Sequence, residues 1–357
     1  MRYRIILRRR YNTSFLFEGF LSFLSVVAAL CFAGIALKLF GVSPVRAYAA
    51  MFKGALGSWY GIGEVVVKAI PLVIAGVAVA LAFRMKIWNI GAEGQIYIGA
   101  LAATAAVRFL SSGNQFVMLS TMLAAAFLAG GMWGYLAGFL KARWNVNEII
   151  TTLMLNYVAI HLVEYFIYGP WRDPSSLGFP MTAPFPASAR LPQFFDSRVH
   201  MGIFAAIFLI LVFRLVIRWT RWGFEIRALG DNPKAARYAG VNYARNILLL
   251  MFLSGAIAGV AGMLEISGLQ GRLQHGFSPG YGYTAIIVAW LARLNPWGIL
   301  IVSFFLGVLL VGGDTLQVVM RLPVASVQVI QGSILFAVLA SEFIRNYRIQ
   351  VIKRERE

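Results

Sequence analysis

Apolar runs of about twenty residues recur along this chain, separated by short breaks rich in glycine, proline and charge. A hydrocarbon core near 30 Å takes about 20 apolar residues of helix to cross, so each run is a candidate span. Ten segments are predicted, at roughly 18–38, 66–83, 87–109, 116–139, 147–168, 201–217, 246–267, 281–294, 297–316 and 326–344. The pattern predicts an all-α polytopic membrane protein. A basic cytoplasmic N-terminus (1–17) and a basic cytoplasmic tail (346–357) flank one transmembrane domain over 18–345.

Two segments are interrupted. Trp88-Asn89-Ile90-Gly91-Ala92-Glu93-Gly94-Gln95 opens the third; Gly276, Pro279, Gly280 and Gly282 lead into the eighth, and Pro296 follows it. As a helix, 281–294 reaches only about 21 Å. If the ten segments form two five-helix inverted halves, these are counterparts that run in opposite directions, with broken helices near 88–95 and 276–296. Gly130, Gly134 and Gly138, and again Gly255 and Gly259, form small-xxx-small rows that predict close helix packing within one bundle.

Charge sets the orientation. With the N-terminus inside, 22 of the 32 Lys and Arg residues fall on the cytoplasmic side, and an even number of crossings brings the C-terminus inside as well. The net charge of +18 is spread between apolar runs rather than gathered in a patch, which argues against nucleic acid as a partner. Only 13% of the residues are charged, against about 25% in soluble domains. The first apolar run is too long for a secretory h-region, so despite the Ala47-Tyr48-Ala49 mimic of a cleavage site it is read as a retained span. Cys31 is the single cysteine, and His161, His200 and His275 share no metal-ligand spacing, so neither a disulfide nor a metal or haem cofactor is expected.

One long polar island interrupts the apolar pattern at Trp219–Arg245. Asp231 is predicted as an N-cap, with Asn232 next and Pro233 in the first turn. Lys234–Tyr238 then forms one or two helical turns that Gly240 stops. Ala235, Ala236 and Ala239 give this helix a small-residue face that fits a groove on another protein, and Glu225 and Arg227 precede it on a second short helix. A solvated loop obeying the inside rule is the plainer alternative.

An ionisable group at membrane depth costs about 2.5–3.5 kcal/mol on insertion scales, so each needs a reason. Glu93 either lines a permeation path or caps amides freed at the broken helix start. Glu148, with Asn145 and Asn147, is expected to cap the fifth segment, while Asn156 falls near mid-membrane beside Tyr157. His161 and Glu164 are one turn apart and predict a local polar pair. Glu265 and Asp314 are expected near solvent at span ends. Gln317, Gln328 and Gln331 offer uncharged donors and acceptors, and Tyr157, Phe166, Tyr281, Tyr283 and Trp290 offer stacking surface. The candidate substrate path is therefore Asn89, Glu93, Gln95, Asn156, Tyr157, Trp290 and Gln317. The outer loop 169–200 carries Pro170, Pro174, Pro180, Pro184, Pro186 and Pro192, and is expected to be a stiff lid, docking surface or passive cover. No GxxxxGK[ST] sequence is present and no catalytic spacing stands out, so the chain is not expected to be an enzyme.

Several stretches resemble the membrane permeases of bacterial ABC importers for branched-chain amino acids, simple sugars and nucleosides. Asn89–Gln95 is similar to that group's NIGxEGQ signature, and Asn147–Tyr157 to the NExxxTLMLNY stretch of its sugar and nucleoside branch. Gly169-Pro170-Trp171-Arg172-Asp173-Pro174 and ALGDNPKAARYAGV at Ala228–Val241 fit the same branch, and the resemblance runs from about 65 to 345. It implies a permease subunit in the bacterial cytoplasmic membrane that imports a nucleoside, or alternatively a simple sugar such as a pentose. It also implies three partners: a separate ATPase that holds ATP-Mg, a second permease of related but different sequence, and a lipid-anchored binding protein outside. Loop 219–245 becomes the coupling element, carried by Glu225, Arg227, Gly230, Asp231, Asn232, Pro233, Ala235, Ala236, Arg237 and Gly240. An ion-coupled secondary transporter using Glu93, Glu265 or Asp314 stays open on the residues alone.

Overall fold

The computed structural model describes residues 3–9, 15–39, 41–110, 112–194, 197–323 and 347–353, with scattered positions between 325 and 340. Most of the predicted 326–344 segment lies outside the described residues. In chain order, β1 (Tyr3–Arg9) is followed by α1 (Phe15–Leu39), α2 (Pro44–Leu56), α3 (Trp59–Arg84), α4 (Ala92–Leu110), α5 (Gln115–Trp144) and α6 (Glu148–Tyr168). Then come α7 (Gly202–Trp219), α8 (Arg221–Asp231), α9 (Pro233–Tyr238), α10 (Tyr243–Glu265), a π-helical turn (Ile266–Gln270), α11 (Tyr281–Leu291), α12 (Pro296–Met320) and β2 (Tyr347–Lys353). The fold is thus nearly all helix rather than strictly all-α. β1 and β2 pair antiparallel, Tyr3 opposite Lys353 and Arg9 opposite Tyr347. A ribbon whose strands lie at opposite chain ends leaves no local signal.

Among the described residues, six helices are long and apolar enough to cross a membrane: α3, α5, α6, α7, α10 with its π-helical end, and α12. A seventh is counted if Val27–Leu39 and Pro44–Leu56, bent by 112°, form one broken span. The predicted third and eighth segments fall short of that test, and α11 has only 11 residues, about 16 Å. The predicted breaks are present. Helix is absent from residues 88–90, and again through the stretch 271–280 that leads into α11.

The chain divides into two compact units. One comprises residues 1–54 and 312–357, the other 55–311. In the first, glycine brings helices together: a Cβ on Gly312 would lie 2.8 Å from that of Met51. The second holds the main bundle, with α3, α4 and α10 at its centre; Val65, Leu72, Ile74, Ile96 and Met251 are almost fully buried. The glycine rows act as predicted. A Cβ on Gly255 would meet the Gly130 carbonyl oxygen at 2.3 Å, and one on Gly259 the Ala126 oxygen at 2.4 Å, so α5 and α10 touch backbone to backbone. That contact is within one chain.

Over residues 169–194 the outer loop is tied by backbone bonds to the stretch 267–273. Thr182 N donates to Leu273 O at 2.9 Å, Phe185 N to Gly271 O at 2.8 Å and Leu191 N to Ser267 O at 3.1 Å. Its prolines remove donors that would otherwise need partners, and its remaining amides tie it across the break.

Candidate functional site: a buried polar cluster and an exposed loop

The two broken segments meet. A Cβ on Gly282, at the start of α11, would lie 2.1 Å from Glu93 N at the start of α4. Arg84 Nη2 donates to Leu294 O at 2.7 Å, so α11 ends beside the end of α3. α4 leads instead to Ser112, whose carbonyl accepts from Ser188 Oγ at 2.9 Å in the outer loop. The two short helices start head to head and diverge. Their positive ends face one another, and a carboxylate sits between them.

That carboxylate is Glu93, 2% exposed. Gly282 N donates to its Oε2 at 2.6 Å and Ser278 Oγ to its Oε1 at 2.7 Å. Glu93 therefore caps the other half-helix, not its own. The start of α4 is capped in turn by Asn156 on α6: Gly94 N donates to Asn156 Oδ1 at 2.8 Å. Asn156 Nδ2 donates to Ile90 O at 2.9 Å and to the Tyr283 hydroxyl at 3.3 Å. Asn89 Nδ2 donates to Gln95 Oε1 at 3.1 Å and to Ser254 Oγ at 2.8 Å, and Ser254 Oγ passes a bond on to Ala78 O at 2.7 Å. Asn89, Glu93, Gln95 and Asn156 thus form one buried, mutually satisfied neighbourhood.

Among the described residues, Tyr157 and Trp290 take no part in this hydrogen-bond network. Tyr157 is 52% exposed beside this cluster. Trp290 packs with Trp88 and Phe83 at ring-centroid distances of 5.4 and 5.9 Å, walling a cavity of about 80 Å³. Gln317 is half-buried on α12. Ser278, Ser254 and Thr152, whose Oγ1 accepts from Ile90 N at 3.3 Å, were not anticipated. Ser278 Oγ also accepts from Gly280 N at 3.3 Å and Tyr281 N at 3.2 Å, closing the turn ahead of α11, whose N-cap position is Gly280.

Two expectations are corrected and a third is extended. Glu148 does not cap α6; Asn147 does, accepting from Ile149 N at 2.9 Å, while Glu148 pairs with Lys141 at 3.0 Å. Glu265 is not at solvent but 2% exposed, with Gln270 Nε2 3.4 Å from its Oε1, because the π-helical turn keeps it inside the bundle. His161 and Glu164 do pair, at 2.9 Å, and His275 joins them at 3.3 Å from the other carboxylate oxygen.

The polar island folds into two helices. Thr220 caps α8, accepting from Gly223 N at 3.0 Å. Ile226 and Leu229 of α8 are fully buried, and a Cβ on Gly230 would come within 2.2 Å of Arg84 O, so α8 lies directly on the end of α3. Glu225 accepts from Asn246 Nδ2 at 3.0 Å, and Arg227 donates to Ile217 O. The cap of α9 is Asn232, one residue later than predicted: its side chain accepts from Lys234 N and Ala235 N, both at 3.1 Å. Asp231 instead closes α8, because the chain turns extended only at Asn232 (φ −147°, ψ 95°). Pro233 starts α9, and Gly240 follows it with φ +83°.

The predicted alanine face also needs correction. Ala236 is 5% exposed, so it is buried rather than presented. Lys234, Ala235, Arg237 and Ala239 face outward, and Tyr238 is 94% exposed. Arg237 stacks over the Tyr243 ring at 4.2 Å. Trp219 and Phe224 add exposed aromatic surface, at 77% and 60%. The loop therefore divides into anchoring residues (Glu225, Arg227, Gly230, Ala236) and presented ones (Asp231–Ala235, Arg237–Gly240).

A multi-pass helical bundle with half-helices meeting at a buried carboxylate is the architecture of a transport protein. Residues 61–339 match the family described as branched-chain amino acid transport system, permease component. The glucose ABC transporter permease protein TsgB13 of Haloferax volcanii is 39% identical over 92% of this chain and 89% of its own length. The guanosine ABC transporter permease protein NupP of Bacillus subtilis is 33% identical over 90% and 93%. A second permease of that organism, NupQ, is 24% identical over 68% and 77%. The chain belongs to this permease family and is a transmembrane subunit of an ABC transporter.

Proposed function

We propose that this subunit imports a nucleoside across the bacterial cytoplasmic membrane. The end-to-end similarity to the guanosine permease carries the substrate reading. A simple sugar is the second reading, favoured by the similarity to the glucose permease. Energy comes from ATP-Mg on a separate ATPase, an extracytoplasmic lipid-anchored binding protein delivers the substrate, and a second, different permease completes the path. The last point is supported by NupP and NupQ, two unlike relatives of this chain in one organism. Ten crossings with both termini inside, in two inverted halves, belong to the same reading. Its support is the pair of half-helices that start together and diverge.

Coupling runs through α9. The presented residues dock on the ATPase, and α8 transmits the displacement because Gly230 lies on the end of α3. Arg84 at that end is bonded to Leu294 beyond α11, whose other end holds Glu93. Motion at the loop thus reaches the meeting point of the half-helices through rigid elements. On this reading Asn89, Glu93, Gln95 and Asn156 shape the path from behind, while Tyr157 faces it and Trp290 borders it. The test is uptake of labelled guanosine and glucose by liposomes holding the complete importer. ATP-dependent guanosine uptake that glucose does not compete supports the proposal. Uptake by this chain alone under an ion gradient would replace it with a secondary transporter.

A further inference from the structure

The bundle end opposite loop 219–245 carries two concavities that share a wall. The first, about 370 Å³, is an apolar groove between α5 and α7 floored by Val260, Met263 and Leu264 of α10. Its α5 wall runs from Gln115 to Leu123, about 12 Å of helix, close to the depth of one hydrocarbon leaflet, about 15 Å. The groove opens outward: Phe116 is 79% exposed, Leu123 44% and Met201 43%. The second concavity, about 360 Å³, is polar and is lined by Arg190, Gln193, Gln270 and Arg272 with the backbone around Gly268 and Gly271.

Leu191 lines both spaces. They are also tied by a bond across the rim, from Gln115 Nε2 to Arg190 O at 2.8 Å. Among the described residues, neither arginine has a carboxylate within ion-pair distance. Arg190 Nε donates to Phe185 O at 3.0 Å, and Arg272 reaches the Met181 sulfur at 2.9 Å. Asp173, the carboxylate that Arg272 feels electrostatically, is half-buried and accepts from Ser175 N and Oγ at 2.9 and 2.8 Å. Two guanidinium groups therefore keep unused donors directly beside a lipid-deep apolar groove. An acyl chain fits the groove, and a phosphate fits two planar donors that bind it well.

We infer that this paired site binds an anionic phospholipid of the outer leaflet, its chain in the α5–α7 groove and its phosphate at Arg190 and Arg272. The charge arrangement selects against zwitterionic lipid, and the bound lipid would brace the outer loop against α10. The inference rests on the membrane orientation proposed above, but its test does not depend on the transported substrate.

The experiment is native mass spectrometry of the purified full-length chain and of the assembled importer, titrated with phosphatidylglycerol and with phosphatidylcholine of the same chains. A preference of about thirty-fold for the anionic lipid is expected, the scale of two interfacial arginines. Arg190→Gln with Arg272→Gln should remove the preference but leave weak binding of both lipids. Leu123→Trp, which fills the groove, should reduce both. Equal binding of the two lipids, or an unchanged preference in the double variant, overturns the assignment. So does loss of the lipid when the importer assembles, which would give the groove to a protein partner. Displacement of the lipid by soluble glycerol phosphate would reassign the arginines to a free phosphate ligand.

Discussion

The cluster around Glu93 and the loop around α9 are both polar regions of a largely apolar chain, and they use polarity in opposite ways. Around Glu93 the hydrogen-bonding groups are turned on one another, at distances of 2.6 to 3.2 Å for the main contacts, and shut away from solvent. In α9 only the cap and Ala236 are spent internally; Lys234, Ala235 and Tyr238 face out. The difference follows from the surroundings. A broken helix in a membrane exposes amides that only protein can satisfy, so its polar residues become structure. A loop in water has its backbone satisfied for free, so its side chains are available to a partner.

This contrast can be broken or sharpened by substitution, beginning with the largest expected effect on stability. Gly255→Leu should cost more than about 3 kcal/mol, beyond ordinary overpacking, because the new Cβ meets backbone oxygen that cannot rotate away. A near-normal melting temperature in detergent would contradict the α5–α10 contact. Glu93→Leu should come next. It leaves Gly282 N and Ser278 Oγ without an acceptor at about 1–3 kcal/mol each, and Glu93→Gln should recover part of the loss through its carbonyl oxygen. Equal melting of the two variants would show that the carboxylate does not hold the half-helices.

A third effect is set by pH. His200, just ahead of α7, is 1% exposed, and burial pushes its imidazole down to about 4 from the usual 6.5. The unfolded chain takes up a proton below about pH 6.5 that the folded chain refuses until about 4. Stability is therefore full above 6.5 and falls through that window, by up to about 3 kcal/mol. His200→Asn should flatten the pH dependence of the melting temperature between 4 and 6.5; an unchanged slope would assign it to other groups. The smallest stability effect belongs to the loop. Ala235→Trp and Tyr238→Ala should leave melting within about 0.5 kcal/mol, as exposed substitutions do, yet abolish ATPase association in a pull-down and ATP-driven uptake. Ala236→Trp should instead destabilise the loop itself. If Ala235→Trp binds the ATPase normally, the docking face lies elsewhere.

Much of this was legible along the chain. The positions of α3, α5, α6, α7, α10 and α12 follow from apolar run length alone, because a membrane crossing demands it. The breaks near 88–95 and before 281 followed from glycine and proline, and the α9 start from Asn232-Pro233. The cap fell one residue away from expectation because aspartate and asparagine cap equally well, and only the extended backbone at Asn232 chooses between them. The burial of Ala236 was not legible, since three alanines in six residues carry no polarity difference to mark a side.

By itself, then, the sequence determined the class: a bundle of membrane helices with two broken segments and one polar loop. Local composition and periodicity are enough for that. Only the tertiary structure decided what the polar residues do. Glu93 meets Gly282 across 189 positions and Asn156 meets Gly94 across 62. No local pattern records such a pairing, because it exists only once the half-helices have been brought head to head by the packing of everything around them.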